Sequence, residues 1–139
     1  MRQIIGLLIL IFTLCLPLLA VTKAADTLPA GVIAAAPDTM NWSDAKEYCA
    51  SKGGRLPLIN GKNDFSSSKK IPPGTPVEVF GAMGAKWPSG IPRDFYWTGT
   101  EYINPSFASR HAWLIVYSGD NVDDNFVTER NTRRVICVP

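Results

Sequence analysis

The sequence contains a single histidine, His111, and only three cysteines among its 139 residues. A zinc site built from clustered histidine and cysteine ligands therefore has too few candidates. The acidic run 120–125 does not match the EF-hand pattern either, because Val122 occupies a ligand position and no glycine follows. We interpret this run as a solvated hairpin and expect no metal and no cofactor, with calcium binding at the run as the open alternative.

The chain also lacks a strong excess of either charge. It has 14 lysine and arginine residues against 12 aspartate and glutamate residues. Two of the basic residues, Arg2 and Lys23, lie in a segment that we expect to be removed, which leaves the folded part formally neutral. A neutral domain has no positive stripe for a phosphate backbone, so nucleic acid is excluded as a partner.

Catalytic patterns are missing as well. A serine hydrolase would have to use His111 as its general base, but Ser106, Ser109 and Ser118 do not lie in a nucleophile-elbow motif. No motif places a carboxylate behind the imidazole. We therefore expect no catalytic residues and a protein that is not an enzyme.

The N-terminal segment 1–24 has the pattern of an export signal. Arg2 supplies a positive start, residues 4–21 form an uninterrupted apolar run, and small residues precede Ala25. Cleavage would leave one domain, residues 25–139, with no membrane span. The alternative is a retained membrane anchor, because the apolar run is nearly long enough to cross a bilayer. We expect an exported protein that is secreted, periplasmic or held at the cell surface.

The one complete helix pattern after the signal is short. Asn41 is placed to cap it, Asp44 suits the positive end of its dipole, and it should end at the glycine pair 53–54 before Pro57. Three residues at helical spacing form its one apolar face: Trp42, Ala45 and Cys49. That face has to pack on the rest of the domain.

Cysteine pairing follows from the expected export. Cys15 would leave with the signal, so Cys49 and Cys137 are the pair that an oxidising compartment would join. The bond would connect the first helix to the last strand. Two free thiols or a metal site are the alternatives, and the sequence does not eliminate them.

Strand patterns occur at five places. We predict strands at residues 31–36, 95–98, 112–118, 122–128 and 133–138. The first should pair with the chain end, the second should end at Gly99, and the third is apolar enough to be a central strand. The last three should form an antiparallel meander. One helix with such a sheet gives an α+β class.

Two irregular stretches separate these strands. Residues 60–94 hold five prolines, and residues 101–110 contain Asn104 followed by proline. The longer stretch carries too many apolar residues for a disordered linker. We expect it to be an ordered excursion pinned by a small core of its own.

Several motifs together resemble a known family. They are WSDAKEYC at 42–49, GGRLP at 53–57, FGAMGAKWPSG at 80–90, YWTGT at 96–100 and RVICVP at 134–139. In this order they resemble the C-type lectin-like domains of bacteria, and most of all the terminal domains of intimin and invasin type adhesins. The resemblance covers nearly all of residues 25–139.

The resemblance implies a looped fold whose two ends meet on one sheet, with a disulfide between the first helix and the last strand. It implies an adhesin-like role, although those relatives end very long surface proteins whereas here an export signal directly precedes the domain. A secreted or periplasmic binding protein is therefore equally expected. The Glu-Pro-Asn and Trp-Asn-Asp motifs of calcium-dependent sugar binding are absent.

Aromatic residues in the irregular stretches are the candidate ligand contacts. Trp87, Tyr102 and Phe107 lack a regular strand face to bury them, and such rings stack on sugars or anchor protein interfaces. The remaining candidates are Asn104, Arg110 and His111. The alternative is that these rings fill small cores beneath their loops. Trp42, Trp97 and Trp113 are assigned to the main core.

The function expected from these patterns is an exported, non-catalytic module that recognises a glycan or a protein through stretches 60–94 and 101–110. The alternative is a structural or accessory protein of the cell envelope, whose loops dock onto a larger assembly. The two differ in whether the loop rings contact a soluble ligand.

Alkylation of the exported protein without reductant tests the cysteine pairing. We expect an intact mass in which Cys49 and Cys137 are both unmodified, because a disulfide has no free thiolate to react. Alkylation after reduction should add two groups to the mature chain. Two added groups without reductant would contradict the pairing.

Overall fold

The computed structural model describes residues 27–66 and 70–139, and the expected signal 1–24 lies outside this range. It contains one helix and eight strands: β1 (Ala34–Ala35), α1 (Trp42–Ser51), β2 (Asp64–Phe65), β3 (Pro76–Val77), β4 (Gly81–Ala82), β5 (Tyr96–Tyr102), β6 (His111–Ser118), β7 (Asn121–Thr128) and β8 (Ile136–Cys137). The α+β class is confirmed. Within the described residues, no helix combines the length and apolarity needed to cross a membrane.

The main sheet has four strands in the order β2-β5-β6-β7. β6 lies in its centre, as its apolar sequence predicted. β6 and β7 pair without interruption from His111 opposite Thr128 to Ser118 opposite Asn121, across a two-residue turn. Gly119 in that turn has φ +59°, a conformation that hairpin turns require and that glycine adopts without strain.

The chain end does not continue this sheet, so the prediction of a three-stranded meander was wrong. β8 pairs instead with β1, Ala34 opposite Cys137 and Ala35 opposite Ile136. After β7 the backbone is redirected, because Arg133 N–H donates to the carbonyl of Met40, just before α1. The predicted pairing of the first strand with the chain end is confirmed.

Gly99 does not end β5, which was also predicted incorrectly. The strand runs to Tyr102, and its register with β6 shifts between Trp97 and Glu101. A Cβ on Gly99 would lie 3.0 Å from Leu58, so the glycine serves a close approach of another segment. Consequently Tyr102 belongs to the sheet and not to the irregular stretch that follows.

The sheet divides the interior into two cores. Side chains alternate along β6, so that Ala112, Leu114 and Val116 face the helix while Trp113 and Ile115 face the loops. The helix-side core includes Trp42, Ala45, Leu56, Trp97 and Val135. The loop-side core includes Ile59, Val77, Phe80, Met83, Ile91 and Tyr96. The described parts of stretch 60–94, residues 60–66 and 70–94, are therefore ordered, but they share this core with the sheet and form no separate one.

The helix forms as its sequence predicted. Asn41 caps it by accepting a hydrogen bond from the amide of Asp44 at 2.9 Å. Its apolar face is fully buried, with Trp42 at 2% exposure and both Ala45 and Cys49 at 0%. Cys49 is joined to Cys137 in β8 by a disulfide, which closes a loop of 88 residues. For a loop of this length the chain-entropy model gives a stabilisation of about 4 to 5 kcal/mol.

Gly54 provides a test of the packing between the helix end and the chain end. A Cβ there would lie 2.2 Å from the carbonyl oxygen of Val138, which itself accepts from Arg55 at 2.8 Å. Because backbone has to move, Gly54→Ala should lower the free energy of unfolding by about 3 kcal/mol, measured by urea denaturation.

Gly53→Ala is the matched control. Gly53 has φ +79°, and no atom lies within 4 Å of the position that an added methyl would take, so only the strain of a left-handed residue applies, about 1 kcal/mol. Equal losses in the two variants would contradict the tight contact at Gly54.

Candidate functional site

Five of the six candidate ligand residues lie at one end of the main sheet. Tyr102, the last residue of β5, pairs with His111, the first residue of β6, and His111 also pairs with Thr128, the last residue of β7. Residues 103–110 connect β5 to β6 at this end of the sheet, which we call the His111 end. It carries Tyr102, Asn104, Phe107, Arg110 and His111.

Aromatic rings form the body of the His111 end. Tyr102 stacks on Phe126 with a centroid distance of 4.0 Å and an interplanar angle of 3°, and Tyr102 is only 6% exposed. Phe107 lies above this pair, 4.5 Å from the ring of His111, and remains 41% exposed. The cluster therefore has a buried base, with Trp113 packed against it, and one ring that faces solvent.

Asn104 holds the connecting loop in place. Its side-chain amide donates to the phenol oxygen of Tyr102 at 3.2 Å, and its side-chain oxygen accepts from the amide of Ser106 at 2.9 Å. The second contact is the hydrogen bond of an Asx turn. Asn104 is thus a loop-positioning residue that sets the path of the chain toward Phe107.

The imidazole of His111 has a defined orientation. Its Nδ1 lies 2.9 Å from the carbonyl oxygen of Ser109. Because a carbonyl only accepts, Nδ1 must carry the proton, and in the neutral ring Nε2 is then an acceptor. The partner that orients this ring is a backbone carbonyl and not a carboxylate.

Arg110 forms an ion pair at the His111 end, and its guanidinium lies 5.5 Å from the ring of Trp42 in α1. Its guanidinium donates twice to Glu101, at 2.9 and 3.1 Å, and its Nε lies 3.9 Å from Glu129. The hydrogen bond from Arg110 lowers the pKa of Glu101 below its usual value. Such a two-point contact fixes both planar groups in one orientation.

A polar cleft opens next to this ion pair. It has a volume of about 450 Å³ and is lined by Ala108, Ser109, Arg110, Thr128, Glu129 and Arg130. Hydroxyl, guanidinium and carboxylate groups thus lie within one surface depression, whose lining begins at Ala108, the residue after Phe107 in the connecting loop. The arrangement offers an apolar face and several hydrogen-bonding groups to one ligand.

Trp87, the sixth candidate, lies elsewhere. Its ring packs 5.4 Å from Phe80 and 6.2 Å from Tyr117, and its indole N–H donates to the carbonyl of Ile91 at 2.7 Å. Tyr117 is six residues from His111 along β6, which at strand spacing is about 20 Å. Trp87 therefore does not share a surface with the other five.

Some residues of the His111 end were not identified from the sequence. Phe126, Thr128, Glu129 and Arg130 come from β7 and the turn after it. The two-residue hairpin contained the missing information, since it forces Phe126 to lie opposite Trp113. Counting the register outward from that turn would have placed Phe126 beside the other rings.

The acidic hairpin is tied to the loops around it. Asp120 pairs with Arg93, Asp123 accepts from Lys70 at 2.6 Å, and the carboxylate of Asp124 accepts from the amide of Ile71 at 2.9 Å. In residues 27–66 and 70–139, no three histidine, cysteine, aspartate or glutamate side chains are grouped so as to hold a metal ion. These carboxylates hold stretch 60–94 against β7.

Comparisons with known proteins identify no relative of this chain. No family model matches the chain, and neither a curated protein nor a solved structure matches it. The α+β class and the disulfide follow from the structure itself. The resemblance to C-type lectin-like domains stays a prediction from sequence motifs.

Asp124→Asn tests the environment of the acidic hairpin. Asp124 is 9% exposed, and burial raises its pKa above the usual value. The folded state therefore holds the proton more tightly than the unfolded state, so stability falls as pH rises through the pKa of the folded protein. An asparagine, which keeps an acceptor for Ile71, should raise the free energy of unfolding at pH 7 by on the order of 1 kcal/mol.

The increase in the free energy of unfolding of Asp124→Asn should shrink in acid. It should vanish below about pH 4, where the aspartate is protonated in both the folded and the unfolded state. Thermal melts across this pH range measure it. Asp120→Asn is the control in the same hairpin, since Asp120 is 71% exposed and its removal should change stability little. A loss of stability in Asp124→Asn at pH 7 that disappears in acid would show that the charged carboxylate is required.

Proposed function

We propose that this chain is an exported, non-catalytic binding module that recognises a glycan or a protein surface through the His111 end. The observation that carries the proposal is the partly exposed ring of Phe107, which packs 4.5 Å from His111, together with a polar cleft of about 450 Å³ at the same end of the sheet. An exposed ring supported by a rigid base presents a large contact area at small entropic cost.

The proposed fold is C-type lectin-like, and the proposed role is adhesin-like. Three features support this assignment: the paired terminal strands, the disulfide between α1 and β8, and the loops collected on one side of the sheet. The sequence motifs at 42–57, 80–100 and 134–139 point the same way. Export, and cleavage after residue 24, belong to the same proposal.

The rigidity of the His111 end supports binding as its role. Asn104 fixes the loop, Arg110 is fixed by Glu101, and the Tyr102 ring is fixed by Phe126. A preformed surface loses little conformational entropy when a ligand binds. The orientation of His111 by a carbonyl also favours a contact role over general-base catalysis, for which a carboxylate partner is usual.

Phe107→Ala tests the proposal. The exported, disulfide-containing protein is applied to a glycan array and to immobilised envelope proteins, and the affinity of each captured ligand is measured. Removing the ring should weaken capture at least about tenfold, as expected for an aromatic anchor. The melting temperature should change little, because Phe107 is 41% exposed.

Tyr117→Ala is the matched control, since Tyr117 is 42% exposed but lies at the opposite end of β6. It should leave capture unchanged. Loss of capture in Tyr117→Ala and not in Phe107→Ala would move the site to the Trp87 region. Tyr102→Ala is unsuitable as a surface test, because this buried ring should unfold the cluster when removed.

A further inference from the structure

A second depression lies at the other end of β5 from the His111 end. It has a volume of about 690 Å³ and lies between segment 27–36, segment 90–96 and β8. Its apolar lining includes Leu28, Pro29, Val32, Ile91 and Ile136. We call it the Tyr96 groove, since Tyr96 also lines it. Tyr96 and Tyr102 are six residues apart, about 20 Å along a strand, so the two sites are separate.

The walls of the groove differ in exposure. Val32, Ile91 and Ile136 are 5–7% exposed and form a buried floor, whereas Leu28 is 45% exposed at the rim. A ligand that covers the exposed leucine and the buried floor removes apolar surface from water, which favours binding. Volume and apolar lining both lie in the range of small-molecule sites.

Three polar residues line this otherwise apolar groove: Thr27, Tyr96 and Arg134. The backbones of Tyr96 and Arg134 are bridged, which places the two residues side by side. The phenol of Tyr96 donates to the carbonyl of Pro92 at 2.7 Å. Burial, with a smaller contribution from Asp94, raises the pKa of Tyr96 to about 12, so the phenol stays neutral at ordinary pH.

Arg134 has hydrogen-bonding capacity left over. Its Nε donates to Asp94 at 2.9 Å, and its two terminal nitrogens have no hydrogen-bond partner among the described residues. The side chains of the pair are 44% and 43% exposed, so the pair is weak and an incoming anion competes with it at small cost. A guanidinium is well suited to hold a carboxylate at two points.

We propose that the Tyr96 groove binds a small single-chain amphiphile, with the apolar chain on the groove floor and a terminal carboxylate on the guanidinium of Arg134. A neutral apolar molecule would leave the terminal nitrogens of Arg134 unused. A cationic head group would meet that guanidinium directly and be repelled. These two comparisons favour an anionic head group on an apolar chain, and a carboxylate matches the two terminal nitrogens of a guanidinium.

Calorimetric titration with sodium decanoate, below its micelle concentration, tests the proposal on the purified disulfide-containing protein. Decyltrimethylammonium has the same chain length and the opposite charge. We expect saturable one-to-one binding of decanoate and at least tenfold weaker binding of decyltrimethylammonium. The absence of saturable decanoate binding would overturn the proposal.

Two charge variants should shift the affinity in opposite directions. Arg134→Gln removes the anion partner and should weaken decanoate binding about tenfold. Asp94→Asn removes the competing carboxylate and should tighten it several-fold. Because both variants break the same ion pair, a purely structural effect would move both affinities the same way, and that result would contradict the assignment of Arg134.

A steric variant locates the ligand. Ala35 is exposed and lines the groove, so the ring of Ala35→Trp should fill the groove and abolish decanoate binding without disturbing the core. Ile33→Trp is the control, since Ile33 is 39% exposed in the same segment but does not line the groove. Binding that survives Ala35→Trp would overturn the proposal. Binding to phosphatidylglycerol vesicles without binding to free decanoate would also overturn the proposal, because this surface would then be a membrane contact.

Discussion

The disulfide between Cys49 and Cys137 is the constraint on which the rest of the structure depends. It holds α1 against β8 and, through the pairing of β8 with β1, brings both ends of the domain together. Short two-stranded pairings of this kind are only marginally stable by themselves. With the ends closed by a covalent bond, the long middle of the chain can be irregular without the domain losing cooperativity.

β6 then determines where that irregular middle lies. Its two faces separate a helix-side core from a loop-side core, and stretch 60–94 covers only the latter. The stretch is held by polar contacts as well as by burial. Glu78 accepts from Arg55 at 2.6 and 2.8 Å and from the amide of Leu58 at 2.8 Å, and Asp124 accepts from Ile71. A proline-rich segment becomes a fixed surface in this way.

The two surfaces proposed for binding have different physical characters, which follows from their positions on the sheet. The His111 end is built where β5 and β7 end and β6 begins, so rings from separate segments meet there. The Tyr96 groove lies where the main sheet approaches the β1–β8 pair. Arg134, two residues before β8, bridges to Tyr96 of the main sheet, and the groove beside this bridge is lined mostly by apolar residues. The first surface suits a ligand with many polar groups, and the second suits an apolar chain.

Local sequence determined the features that local physics controls. The Asn41 cap, the buried face of α1, the central position of β6 and the cysteine pair all follow from short-range pattern or from counting. The pairing of strands with distant partners was decided only by the tertiary structure. β8 pairs with β1, and Arg133 donates to the carbonyl of Met40 on the way there. The same holds for the site. Phe107 and His111 were recognisable as candidates. The burial of Tyr102 against Phe126, and the packing of Trp87 on Tyr117 near the other end of β6, depend on strand register and on a shift near Gly99. Register is set by contacts between segments far apart in sequence, and no single segment encodes it.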